Sequence, residues 1–181
     1  MKNLNLIVFL LFGLTISTFS CKKQPVDQLS LLPPATQTGA NTFGCLVDGA
    51  AFVPESSGFF SGPPFKAEYG STPQLAVFSI AGSRKGDGII ANVSIATDSL
   101  KIGEGETLLL SGYNTPGKAS GAYAYNSTAY QTNANVTGAL TITRLDTINL
   151  IVSGTFYFNA VSKGGDTVRI TNGRFDTHYM P

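Results

Sequence analysis

Histidine occurs once in these 181 residues, at position 178, and cysteine twice, at positions 21 and 45. A zinc site draws three or four ligands from His, Cys and carboxylate side chains, so the usual sets are out of reach and no metal is expected. A Ser–His–Asp triad would have to recruit His178, close to the C-terminus, where a solvent-exposed histidine is the simpler reading. A Cys–His nucleophile fares no better, because Cys45 sits among Phe43, Gly44, Leu46 and Val47 and reads as a small buried apolar residue. Charge is scarce as well. Asp, Glu, Lys and Arg make up 13% of the chain, 12 basic against 11 acidic, which leaves no electrostatic footprint for nucleic acid. Nothing cradles a phosphate, since "GSRKGDG" at 82–88 lacks the spacing of either nucleotide fingerprint. No long segment carries helical periodicity. No catalytic residue and no cofactor is therefore expected.

What is present begins at the N-terminus. Lys2 gives a short positive start, and residues 4–16 (LNLIVFLLFGLTI) form an apolar run broken only by Asn5, Gly13 and Thr15. These are the n-region and h-region of a secretory signal peptide over residues 1–20, and the run is shorter than the ~20 residues of a spanning helix. Ser20 before Cys21 resembles a bacterial lipobox of the relaxed, Bacteroidota type, with Phe19 where a small residue is usual. That resemblance implies diacylglycerol on Cys21 and attachment to the outer membrane. Two or more acyl chains, at about 0.8 kcal/mol per buried methylene, hold a protein stably without a membrane helix. Lys22, Lys23 and Gln24 follow, where surface-exported lipoproteins of this group carry acids, so the periplasmic face is favoured over the cell surface. With Cys21 acylated, Cys45 has no disulfide partner. Residues 21–40, rich in proline at 25, 33 and 34, read as the lipidated cysteine and a flexible tether, in which the roughly 17 residues from Gln24 to Ala40 reach ~50 Å at ~3 Å each. Leu29, Leu31 and Leu32 offer an alternative in which this segment docks. Residues 41–181 form the single domain.

That domain reads as strands and turns. Without Lys2 the basic residues number eleven, equal to the acids, and Gly, Ser, Thr and Asn are abundant, which suits strands and turns rather than helices. Asp48-Gly49 between two apolar runs is a strong hairpin signal. Residues 75–80 and 89–97 flank the glycine-rich loop, residues 108–110 form a short strand, and residues 122–130 alternate small residues with tyrosines. Residues 139–145 alternate Leu140 and Ile142 with threonines, Asp146-Thr147 turns, and residues 148–160 make a long strand with a bulge or bend at Gly154. A strand at 167–171, a turn at Asn172-Gly173 and a last strand through Phe175 follow. Short antiparallel strands at regular spacing predict an all-β fold, an antiparallel β-sandwich of about eight to ten strands, with a closed calycin-like β-barrel as the alternative.

"TGANTFGCLVDGAAFVP" and "VSGTFYFNAVSKGGDTVRITNGRFD" together resemble a family of uncharacterised Bacteroidota lipoproteins. The resemblance covers most of the mature chain. It implies a secreted, lipid-anchored β-domain and brings no catalytic residues, because that family has no assigned activity.

Tyr123 and Tyr125 share one strand face, and Tyr130 follows. Exposed tyrosines stack well on sugar rings, while the competing reading places them on the inner face. Phe59, Phe60 and Phe65 in "GFFSGPPF" make either a binding lip or a plug for the core. Glu104 and Glu106 are the one close acidic pair, as a glycosidase would need, in a glycine-flanked stretch that reads more simply as a polar loop. Ser99, Thr147 and Thr167 each follow an aspartate and precede an apolar residue, which resembles the Bacteroidota O-glycosylation pattern; an Asp-Thr turn entering a strand has the same form. The expectation is a non-catalytic envelope protein, held to the membrane by its lipid, that binds a ligand, polysaccharide or envelope protein or serves structurally. A carbohydrate-binding or adhesive module and a glycoside hydrolase are the alternatives.

Overall fold

The computed structural model describes residues 26–181 apart from 56–62, 72–75, 87 and 114. Its strands are β1 (Thr42–Val47), β2 (Ala50–Phe52), β3 (Phe65–Ser71), β4 (Ala76–Gly86), β5 (Ile89–Asp98), β6 (Thr107–Leu110), β7 (Lys118–Tyr125), β8 (Thr128–Gln131), β9 (Gly138–Asp146), β10 (Ile151–Ser162) and β11 (Thr167–His178). Among the described residues the one helical element is a 3-10 turn, Gln28–Leu31. The all-β class is as the alternation predicts.

The strands belong to one continuous sheet in the order β2-β1-β11-β10-β9-β6-β7-β5-β4-β3, with β8 laid between β10 and β7. Pairing is antiparallel except between β6 and β7. The sheet folds over a single core and faces itself in the manner of a sandwich. It is drawn together at two places. At one, Tyr69 in β3 donates its N–H to the carbonyl of Met180, just beyond β11, at 2.9 Å, and Met180 donates to the Ala67 carbonyl at 3.0 Å. At the other end of this seam β2 runs on into a bridge with β4, where Glu55 donates to the Ser83 carbonyl at 3.0 Å. The closure is partial, a short seam rather than a full barrel ladder.

Alternation decides which side chains fill the interior. On β4 the even positions Phe78, Ile80 and Gly82 face inward, and on β5 the odd positions Val93 and Ile95 do. Phe43 lies 5.6 Å from Phe156, which lies 6.4 Å from Phe175, itself 6.1 Å from Phe78, measured between ring centroids. Each such buried ring contributes about 1.5–3 kcal/mol.

Several boundaries differ from the sequence reading. The stretch 82–88 read as a loop is mostly strand, with β4 running to Gly86. The stretch 122–130 is two strands, broken at Asn126, whose φ of 50° turns the chain. The long strand starts at Ile151, because residues 147–150 form a turn ending on Leu150 at φ 55°. Asn172-Gly173 does not end a strand. It is a bulge inside β11, where Leu46 pairs with Thr171 but Gly44 with Arg174. A register shift does fall at Gly154, with the extra residue on β9. A Cβ there would meet the Phe175 ring and the Thr141 carbonyl oxygen at 2.6 Å.

The segment read as a tether lies against the domain from Gln28 onward. Gln28 Oε1 accepts the Ala51 N–H at 3.0 Å, Leu32 is buried, and Leu29 and Leu31 remain exposed. Further on, the chain converges on Asp176, whose carboxylate has no solvent exposure. It accepts the Thr36 hydroxyl at 2.7 Å, the backbone N–H groups of Thr38, Gly39 and Ala40 at 2.8, 2.7 and 3.1 Å, and the Ser153 hydroxyl at 2.8 Å. Burial alone would raise its pKa; these donors outweigh burial and hold the carboxyl well below the usual carboxylate range.

Candidate ligand-binding site

The core does not fill the sheet to its end. Beyond Phe52 and Val93 the inward face continues as the wall of an open cup of ≈ 550 Å³, within the ~300–1,000 Å³ range of small-molecule sites. Two rungs of the sheet build it. In the lower rung Gly82, Val93 and Tyr123 stand side by side across β4, β5 and β7, and of these Tyr123 lines the cup; in the upper rung Arg84, Ala91 and Tyr125 do, and all three line it. With strands about 4.8 Å apart, the Arg84 and Tyr125 backbones flank Ala91 at roughly 10 Å from each other. Ile89 continues the β5 side, and Val47, Ala50, Ala51 and Phe52 close the opposite wall. Glu55 and Lys85 complete the charged part of the lining.

The three tyrosines expected to act together are together. Tyr123 and Tyr125 stack with centroids 6.5 Å apart, and Tyr123 meets Tyr130, its cross-strand partner, at 5.9 Å. Their setting differs from an exposed platform. Tyr123 is 9% exposed and belongs to the core, Tyr130 is half-buried, and Tyr125 is 42% exposed at the rim. All three lie on the inner face, so the surface they offer is concave. Burial, reinforced by the neighbouring phenols of Tyr125 and Tyr130, raises the Tyr123 phenol above its ordinary pKa.

Arg84 carries the cationic side of the cup. Its one described hydrogen bond runs from Nη1 to the Ala51 carbonyl at 3.5 Å, the outer limit of such a bond. The ion pairs among the described residues, Lys66–Glu68 and Arg144–Asp146, involve neither Arg84 nor Glu55. Sequence reasoning missed Arg84 because "GSRKGDG" reads as a loop. Extending the even-numbered inward pattern of β4 by one step places it on the inner face.

The remaining candidates are scattered. Phe59 and Phe60 lie outside the described residues, as does Cys21. Phe65 packs on Phe43 at 6.2 Å and belongs to the core edge rather than a lip. Glu104 Oε2 accepts the Leu145 N–H at 3.0 Å and clasps the loop to β9. Ser99, Thr147 and Thr167 are all exposed, the first at φ 54° after β5, the second in the β9–β10 turn, the third at the start of β11. His178 is exposed but is the last residue of β11 rather than part of a loose tail, with its ring beneath Gly39. Cys45 is fully buried, and desolvation pushes its thiol pKa up to about 12, the opposite of an activated nucleophile. Asp176, unremarkable in sequence, is the most heavily bonded carboxylate described.

The geometry defines an all-β domain with a ligand-sized cup, apolar in its depth and cationic at one lip. A family model described as a domain of unknown function (DUF6252) matches residues 56–177, and the chain belongs to that family. No curated protein and no solved structure matches it.

Proposed function

We propose that this is a lipid-anchored protein of the bacterial outer membrane, facing the periplasm, whose β-domain binds a small ligand without transforming it. The cup carries the binding half of this reading: it is open, of ligand size, and lined by Tyr123 and Tyr125 over small apolar residues. The lipobox at Ser20-Cys21 supports the anchoring half. No described hydrogen bond pairs a nucleophile with a base among the cup-lining residues, which supports a binding role over a chemical one.

Two measurements test it. Labelled palmitate is incorporated into the wild type and not into Cys21→Ala, which leaves the membrane fraction; equal labelling of both would end the anchoring half. An uncharged fluorescent apolar probe, the methyl ester of 11-(dansylamino)undecanoic acid, binds the full-length Cys21→Ala chain. Ala50→Trp, which fills the cup from its exposed rim, abolishes that binding. Binding indifferent to Ala50→Trp would end the binding half.

A carbohydrate-binding module is the second reading, favoured by the half-exposed Tyr125 at the rim. Saturable binding of an oligosaccharide, lost in Tyr125→Ala, would favour it over the apolar ligand.

A further inference from the structure

The two rungs also specify which end of a ligand goes where. Below, Phe52 and Tyr123, both buried, line the cup and present an apolar floor with one phenol. Above, the guanidinium of Arg84 and the ring of Tyr125 stand on either side of Ala91, whose side chain is too small to separate them. A guanidinium is planar, always charged and forked, and suits a carboxylate's two oxygens. Lys85 borders the lining from an odd-numbered position, which alternation turns to the outer face, and Glu55 adds a single negative charge; Asp87 lies outside the described residues. Neither the Arg84 guanidinium nor the Glu55 carboxylate is committed to a described ion pair. Among the described residues the floor has no cation to hold a charge in its depth.

We infer that the cup takes an apolar-bodied organic acid, body down against Tyr123 and Phe52, with its carboxylate at the lip on Arg84. This rests on the ligand-binding reading above and adds the charge, the orientation and the residue that reads it. Two sources offer that chemistry, a fatty acid and a small aromatic acid. Burying the body supplies about 25 cal/mol per Å², and the head group stays at the rim, where its charge keeps part of its water.

The test compares 11-(dansylamino)undecanoic acid with its methyl ester, probes that differ in one charge, on the full-length Cys21→Ala chain. The acid is expected to bind at least fivefold tighter than the ester, and 0.5 M NaCl should erode that preference while leaving the ester's affinity unchanged. Arg84→Ala should bring the acid down to the ester's affinity. Laurate and 1-naphthoate then compete for the bound acid, and the better competitor identifies the source. If acid and ester bind equally, or Arg84→Ala weakens both alike, the head-group inference falls while the cup remains a binding site. If neither probe binds, both readings fall together. The salt comparison uses no Arg84 variant, so the inference stays open to refutation even if Arg84→Ala unfolds.

Discussion

Gly39 donates its backbone N–H to the Asp176 carboxylate at 2.7 Å, across 137 residues of sequence. Asp176 stands on β11 beside Ser153 of β10 and opposite Thr42 of β1, so one buried carboxylate ties the N-terminal segment to β11 and, through Ser153, to β10. Asp176→Ala should remove about 3 kcal/mol or more of stability, because it strands several buried donors at once. Urea unfolding measures this. Limited proteolysis should then cut within residues 32–40 before the rest of the domain opens. A loss below ~1 kcal/mol would mean that the donors find water instead.

The same carboxylate makes stability acid-sensitive. Its folded pKa lies below its unfolded value, so the folded state binds this proton less readily than the unfolded one. The stabilisation is therefore complete above about pH 4, near the unfolded carboxylate pKa, and declines as the pH falls toward the depressed folded value. Urea midpoints between pH 6 and pH 3 should fall in the wild type, with Asp176→Asn showing a shallower fall from a lower start. Parallel profiles would assign the acid sensitivity to other groups.

Tyr123 and Tyr125 should separate by readout. Tyr125→Ala removes a half-exposed ring and is expected to cost under ~1 kcal/mol of stability while weakening probe binding severalfold. Tyr123→Ala removes a core side chain and should cost about 3–5 kcal/mol. Thermal melts and probe titrations on both variants test the division; a Tyr125→Ala that binds normally would take the rim out of the site.

Cys45 is expected to be inert. Buried, with its thiol pushed up to about 12, it should react with Ellman's reagent at pH 8 only as fast as the domain opens, and quickly in 6 M urea. Prompt reaction of the folded chain would place the thiol within reach of solvent. Because the folded pKa is raised, stability should also decline above about pH 8.5, where the unfolded thiol ionises and the folded one does not.

Local chemistry made much of the fold legible. Asp48-Gly49 announced its hairpin because the turn needs positive φ at both positions, and both have it, 48° and 86°. Leu140, Ile142, Phe156 and Phe158 announced their strands by alternation. The β7–β8 turn stayed hidden because Asn126-Ser127 lacks the glycine that marks such turns. Asn172-Gly173 carried a turn signal, but β1 and β10 hold both sides of β11 through it, so the signal became a bulge. The tyrosine group was legible by spacing, whereas its burial was not, since a two-residue period fixes which residues share a face and not which face is inside. Arg84 and Asp176 were missed because each takes its meaning from residues distant in sequence or on other strands, Ala91 and Tyr125 for the first, Gly39 and Ser153 for the second.

The bond from Ala51 to Gln28 sets the scale on which an anchored chain is moored. Ala51 lines the cup, so the polypeptide leaves toward its N-terminus at the cup's own end. From Gln28, which is bonded to Ala51, to Cys21 is seven residues, a reach of at most about 25 Å. With the lipid on Cys21, the leash is that short stretch and not the whole proline-rich segment. The cup would ride within about 25 Å of the bilayer surface, about half the ~50 Å that a wholly free tether would allow. Molecules leaving or joining the leaflet would be its nearest neighbours.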